Sequence, residues 1–242
     1  MLYILTLILL LCFYVCGIIL MPRMRSAGLW NLVFALPVFV LYLSLVLTVY
    51  LDVGFYDWNF KNTLPVANVS PFMFTLVPLI LVSPRKIQKH LYLLVSLLSV
   101  GMLLSAAFGC LYNAIINYKF HIHFVYDYLA HVLLSLWGVY LVRSKQVELN
   151  VKSGAVSSSI IIGVAVIMLI MNLIFDTAFF GLSLYGKHNI YNNVLTESSY
   201  LSALLYFIGL SGVLAMGFVY SRLFAKKNAA ADLENPSTQE AS

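Results

Sequence analysis

The sequence predicts an all-α polytopic membrane protein: a bundle of about seven transmembrane helices, N-terminus outside and C-terminus in the cytoplasm. Three observations carry this. The 242 residues are 62% hydrophobic and 10% charged, where a soluble domain is about half apolar and a quarter charged, so too little charge exists to cover a water-facing surface. Apolar runs near the roughly 20 residues needed to cross about 30 Å of hydrocarbon recur seven times. The basic residues also fall on alternate connections. Arg23 and Arg25 follow the first run, Arg85, Lys86 and Lys89 the third, Arg143, Lys145 and Lys152 the fifth, and Arg222, Lys226 and Lys227 the seventh. Only Lys61, Lys119 and Lys187 lie on the opposite side, which makes that side the outer one by the positive-inside rule.

The runs are 2–20, 29–51, 66–83, 91–112, 124–142, 155–177 and 200–220. The first is expected to be retained, since no basic segment precedes it, its arginines follow it, and no small-residue cleavage site closes it. The second and fourth are long enough to cross. Pro71 and Pro78 interrupt the third, which is short, so it should face protein, where neighbours can satisfy the carbonyls that proline frees. The fifth carries Asp127 and His131, groups that cost on the order of 3 kcal/mol each to insert and therefore need partners. The sixth carries Asn172, with Asp176 one turn further on. The seventh carries Gly209, Gly212 and Gly217 with Ser202 and Ser211, small residues that let membrane helices approach closely. Residues 1–220 thus form one transmembrane domain, and 221–242, polar and small-residue rich, read as a disordered cytoplasmic tail.

The formal net charge of +5 is a topology signal and not the footprint of a polyanion, and no glycine-rich phosphate loop is present, so nucleic acid is excluded as a partner. Cys12, Cys16 and Cys110 make no metal or disulfide framework and read as packing residues. Four of the five histidines (His121, His123, His131, His188) and five of the nine acids (Asp52, Asp57, Asp127, Asp176, Glu197) lie on or near the outer side, where any chemistry should be.

His123, Asp127 and His131 are spaced i, i+4, i+8 and share a helix face. Such a face can hold a metal, with His121, His123 and Asp127 as the ligand set, or an imidazole oriented by Asp127; His121 and His123 can equally sit among lipid headgroups. Counted down from about Ser70 on the third run, Tyr112 on the fourth, the start of the fifth and about Thr177 on the sixth, Thr75, Ser105, His131 and Asn172 all lie roughly 8–10 Å deep. A hydroxyl, a neutral imidazole and an amide at one level are the inventory of a nucleophile, its base and an orienting donor. Each hydroxyl taken singly is as well explained by a bond to its own i−4 carbonyl.

The stretches Ser70-Pro71-Phe72-Met73-Phe74-Thr75 and Asp127-Tyr128-Leu129-Ala130-His131, with the segment 172–180, resemble the YwaF-like family of bacterial multi-span membrane proteins. More distantly they resemble androgen-induced-gene-type membrane hydrolases. The resemblance implies an intramembrane Thr or Cys nucleophile that works with a histidine in acyl transfer or hydrolysis. By position these are Thr75 and His131; the cysteine usual in the YwaF-type motif near the start of this span is absent here.

The leading expectation is therefore an outer-leaflet acyl-ester hydrolase or acyltransferase in a bacterial cytoplasmic membrane. Thr75 would be nucleophile and His131 base, with Asp127 or Asn172 in support and Ser105 and Asp176 lining the pocket. Its partner is membrane lipid, its substrate a lipid or acyl compound, and it uses no cofactor. Two other classes stay open: a transporter with Asp127, His131 and Asp176 along a proton or cation path, and a non-catalytic membrane scaffold or assembly factor.

Overall fold

The computed structural model describes residues 2–21, 24, 27–51, 68–116, 120, 122–175, 179–182 and 199–234. Among them are seven α-helices and no strand: α1 (Leu2–Leu20), α2 (Ala27–Leu51), α3 (Val69–Val82), α4 (Arg85–Ile116), α5 (Ile122–Arg143), α6 (Val151–Phe175) and α7 (Ser199–Glu234). A single 3-10 turn, Phe179–Gly181, lies between α6 and α7. Six of the helices are long and apolar enough to cross a membrane. The exception is α3, whose 14 residues span about 21 Å against a core of about 30 Å. The chain is a multi-span integral membrane protein, and large apolar side chains such as Ile19, Ile174 and Leu223 stand exposed on its outer surface.

Two elements extend beyond their apolar runs. α4 begins at Arg85, directly after the Ser83–Pro84 corner, because proline is well placed before the first turn of a helix. α7 continues to Glu234, into the stretch whose composition suggested a disordered tail. The sequence there, AKKNAAADLE, is rich in strong helix formers.

α5 is the axis of the bundle: 78% of its span is buried, against 17% for α6. It packs chiefly on α4 and α2. The α4–α5 approach is close because Gly138 lies on the α4 backbone, where a Cβ would meet the Val95 carbonyl oxygen at 2.7 Å and Ser99 Cβ at 2.8 Å. Ser96 Oγ donates across the same seam to the Gly138 carbonyl at 3.2 Å. On α7 the glycines divide. Gly217 sits against Leu97 of α4, whereas Gly209 and Gly212 have nothing within 4 Å of a built Cβ. Close packing there rests on one glycine of the three.

At the basic end a buried amide joins three helices. Asn31 donates to the Tyr92 hydroxyl at 3.0 Å and to Gln146 Oε1 at 2.6 Å, and its oxygen accepts from Trp137 Nε1 at 3.1 Å. Both ends of the amide are thereby used, as burial in a membrane requires. Lys145, with φ 58°, turns the chain out of α5, and the Gln146 and Val147 amides close on the Leu141 carbonyl at 3.0 and 3.3 Å. Arg143 reaches the Ile18 carbonyl in the last turn of α1 at 3.2 Å, a cation satisfying a helix C-terminal carbonyl, and Arg222 reaches the Leu149 carbonyl in the α5–α6 connection at 2.9 Å.

Candidate functional site

The costly polar residues of α5 are resolved by a short hydrogen-bonded chain. His131 is buried, with 4% of its surface exposed. Its Nδ1 lies 2.8 Å from the Asp127 carbonyl oxygen, one turn back, and 3.4 Å from Asp127 Oδ1. Its Nε2 lies 2.8 Å from Ser70 Oγ at the start of α3. A carbonyl oxygen only accepts, so Nδ1 carries the proton; in a neutral imidazole Nε2 is then the bare nitrogen, and it accepts the Ser70 hydroxyl hydrogen. The serine donates to the ring, and the ring donates toward Asp127.

α3 is built to deliver that hydroxyl. Asn68 caps the helix, its side-chain oxygen accepting from the Val69 amide at 2.8 Å. Pro71 falls in the first turn, where its missing N–H is no loss. Phe74, one turn after Ser70 and so on the same face, meets the His131 ring edge-on with centroids 5.0 Å apart. The imidazole is thus fixed from α3 by a hydroxyl and an aromatic edge.

The residues expected to share one layer do not share one site. Thr75 is not the hydroxyl at His131: its Oγ donates to the carbonyls of Pro71 at 2.7 Å and Phe72 at 2.9 Å, within its own helix. Five residues separate it from Ser70, which turns it about 140° around α3. Ser105 is exposed, on the face of α4 that carries Phe108 and Tyr112, and lines nothing with His131. Asn172 is buried but engaged with backbone: it donates to the carbonyls of Phe179 (2.9 Å) and Leu182 and accepts from the Phe179 amide at 2.7 Å. Asp176 and His121 lie outside the described residues, as does the His123 side chain. Among the described residues no three His, Cys, Asp or Glu converge on a metal position.

Depth on the third run counts from about Ser70, which puts Ser70 itself at the outer surface and hides it as a partner for His131. Counted from the basic end, Ser70 stands 13 residues above Ser83 and His131 stands 12 residues before Arg143, roughly 19 and 18 Å. Thr75, eight residues from Ser83, falls about 12 Å up. The shortness of α3 is the signal: its first turn stands at the level of the histidine.

Further polar groups flank the site without joining it. Asn113 donates to the Tyr128 hydroxyl and to the Gly109 carbonyl, and Gly109 leaves room for the Tyr128 ring, whose Cζ lies 3.1 Å from where its Cβ would be. One turn beyond His131, Ser135 donates to the Tyr14 hydroxyl at 3.3 Å, which lies 3.1 Å from that of Tyr220. These bonds tie α5 to α4, α1 and α7.

Fold and site together define a multi-span membrane protein in which a serine hydroxyl meets a buried histidine whose other ring nitrogen is bonded to the Asp127 backbone carbonyl, with the Asp127 carboxyl 3.4 Å away. No known protein family, curated protein or solved structure matches the chain.

Proposed function

We propose that this protein is an acyl-ester hydrolase or acyltransferase acting at the outer leaflet of a bacterial cytoplasmic membrane, with Ser70 as nucleophile, His131 as general base and Asp127 as the group that orients the imidazole. In this reading the N-terminus is outside and the C-terminus cytoplasmic, as the distribution of basic residues supports. The resemblance to the YwaF-like family is kept, with the hydroxyl moved five residues earlier in the same stretch, from Thr75 to Ser70.

The observation that carries the proposal is the tautomer imposed on His131. A base must present a bare nitrogen within about 2.6–3.2 Å of the proton it removes, and Nε2 stands 2.8 Å from Ser70 Oγ. As Ser70 attacks an ester carbonyl, its proton passes to Nε2 and the imidazolium so formed has the Asp127 carbonyl and carboxyl beside Nδ1. The proton then goes to the departing alcohol, which leaves Ser70 acylated. Water or a second alcohol, deprotonated by the same nitrogen, takes the acyl group and restores the serine.

The test is covalent. A small fluorophosphonate applied to the protein in membranes should modify Ser70, as read by mass spectrometry of the labelled peptide. The adduct should vanish in Ser70→Ala, fall steeply in His131→Ala and persist in Thr75→Val. An adduct that forms on Ser70 at the same rate without His131, or no adduct at all, overturns the proposal.

A further inference from the structure

α3 packs mainly on α2 and α4 and meets α5 through Ser70 and Phe74 at its start, so the position of that first turn decides whether Ser70 reaches His131. The 3-10 turn after α6 lies behind it. Phe180, in the middle of that turn, has φ 57° and ψ 21°, a left-handed conformation that costs an L-residue with a Cβ, and it is fully buried. Its ring meets that of Phe72, centroids 5.8 Å apart. Phe72 follows Ser70 by two residues and so points about 200° away from it around α3. The first turn of α3 is therefore held between Phe180 on one side and His131 on the other.

What keeps the turn in its strained form is Asn172. This amide, 2% exposed, bonds the Phe179 amide and carbonyl and the Leu182 carbonyl, spanning both ends of the turn. We infer that Asn172 is a positioning residue: through the strained Phe180 and its contact with Phe72, it presses the start of α3 toward α5 and sets the Ser70 to His131 hydrogen bond. The inference rests on the proposed roles of Ser70 and His131 and assigns Asn172 no contact with substrate.

The experiment uses the full chain in lipid nanodiscs, with two readouts: the rate of Ser70 modification by the small fluorophosphonate, and the 15N resonance of His131 Nε2, which reports whether that nitrogen accepts a hydrogen bond. Asn172→Ala should slow modification about tenfold or more, as loss of near-attack geometry does, and should move the Nε2 resonance to its position in Ser70→Ala. Phe180→Gly is the companion variant, since glycine adopts φ 57° freely; it keeps the backbone of the turn while removing the ring, and should give the same two changes along with the lower thermal stability expected when a buried ring is deleted. Wild-type rates and an unmoved Nε2 resonance in both variants overturn the inference while leaving Ser70 as nucleophile. A wild-type protein that is not modified at Ser70 overturns the proposed function and this inference with it.

Discussion

Replacing Gly217 with alanine puts a methyl group into the backbone of α4. The new Cβ overlaps the Leu97 carbonyl oxygen and stands 2.7 Å from the carbonyl carbon, about 0.8 Å short of the roughly 3.5 Å at which carbon atoms rest in contact. The obstacle is backbone and cannot swing aside, so α4 and α7 must separate by at least that much. Val213 of α7, one turn earlier and seated on Gly101 of α4, would lift with it. Overpacking of this kind costs about 1–3 kcal/mol, with backbone clashes at the upper end. The gain in helix propensity from glycine to alanine returns up to about 1 kcal/mol, leaving a net loss of about 2 kcal/mol. Gly209→Ala and Gly212→Ala, on the same helix with nothing near the added methyl, receive the propensity term alone and should be neutral or slightly stabilising. The two classes should differ by about 2–3 kcal/mol, or roughly 30- to 150-fold in the unfolding equilibrium. Titration of the purified protein from mild detergent into SDS, followed by tryptophan fluorescence, measures this. If Gly217→Ala unfolds at the same SDS mole fraction as Gly209→Ala, the α4–α7 seam is not where these contacts place it.

Other perturbations probe the remaining parts of the structure. Asn31→Ala strands the buried Trp137 indole N–H and frees the Tyr92 hydroxyl and the Gln146 amide, and should cost about 2–3 kcal/mol in the same titration. Gly138→Ala drives a methyl between Val95 and Ser99 on the axis of the bundle, so it should lower stability by about 1–3 kcal/mol and, by shifting α5, slow fluorophosphonate modification of Ser70. Thr75→Val removes a hydroxyl bonded only within its own helix and should change stability by less than about 1 kcal/mol, with modification of Ser70 unaltered. For topology, single cysteines replacing Lys187 and Lys152 in a cysteine-free background should react with a membrane-impermeant maleimide in intact cells at position 187 and not at 152; the reverse pattern refutes the proposed orientation.

Hydropathy locates helices along the chain, since crossing hydrocarbon demands a long apolar run and every backbone group must be bonded internally. It also flags Asp127 and His131, because ionisable groups in such runs are costly enough to imply partners. Azimuth is not disclosed. Thr75, Ser105, His131 and Asn172 were matched by depth, yet Ser105 faces outward, Thr75 bonds its own carbonyls and Asn172 holds a loop. Nor could three glycines on α7 be ranked, since only the neighbour's position distinguishes Gly217 from Gly209.

By itself, then, the sequence determined that the chain lives in a membrane, where its helices run and which connections carry the positive charge, because these follow from transfer free energies summed along the chain. The tertiary structure decided that His131 meets Ser70 and not Thr75, and that Asn172 serves a strained turn. Both turn on which face of one helix meets which face of another, and on the short α3 having its first turn level with His131. Rotation and offset between helices are set by packing among residues far apart in the chain, and no local pattern encodes them.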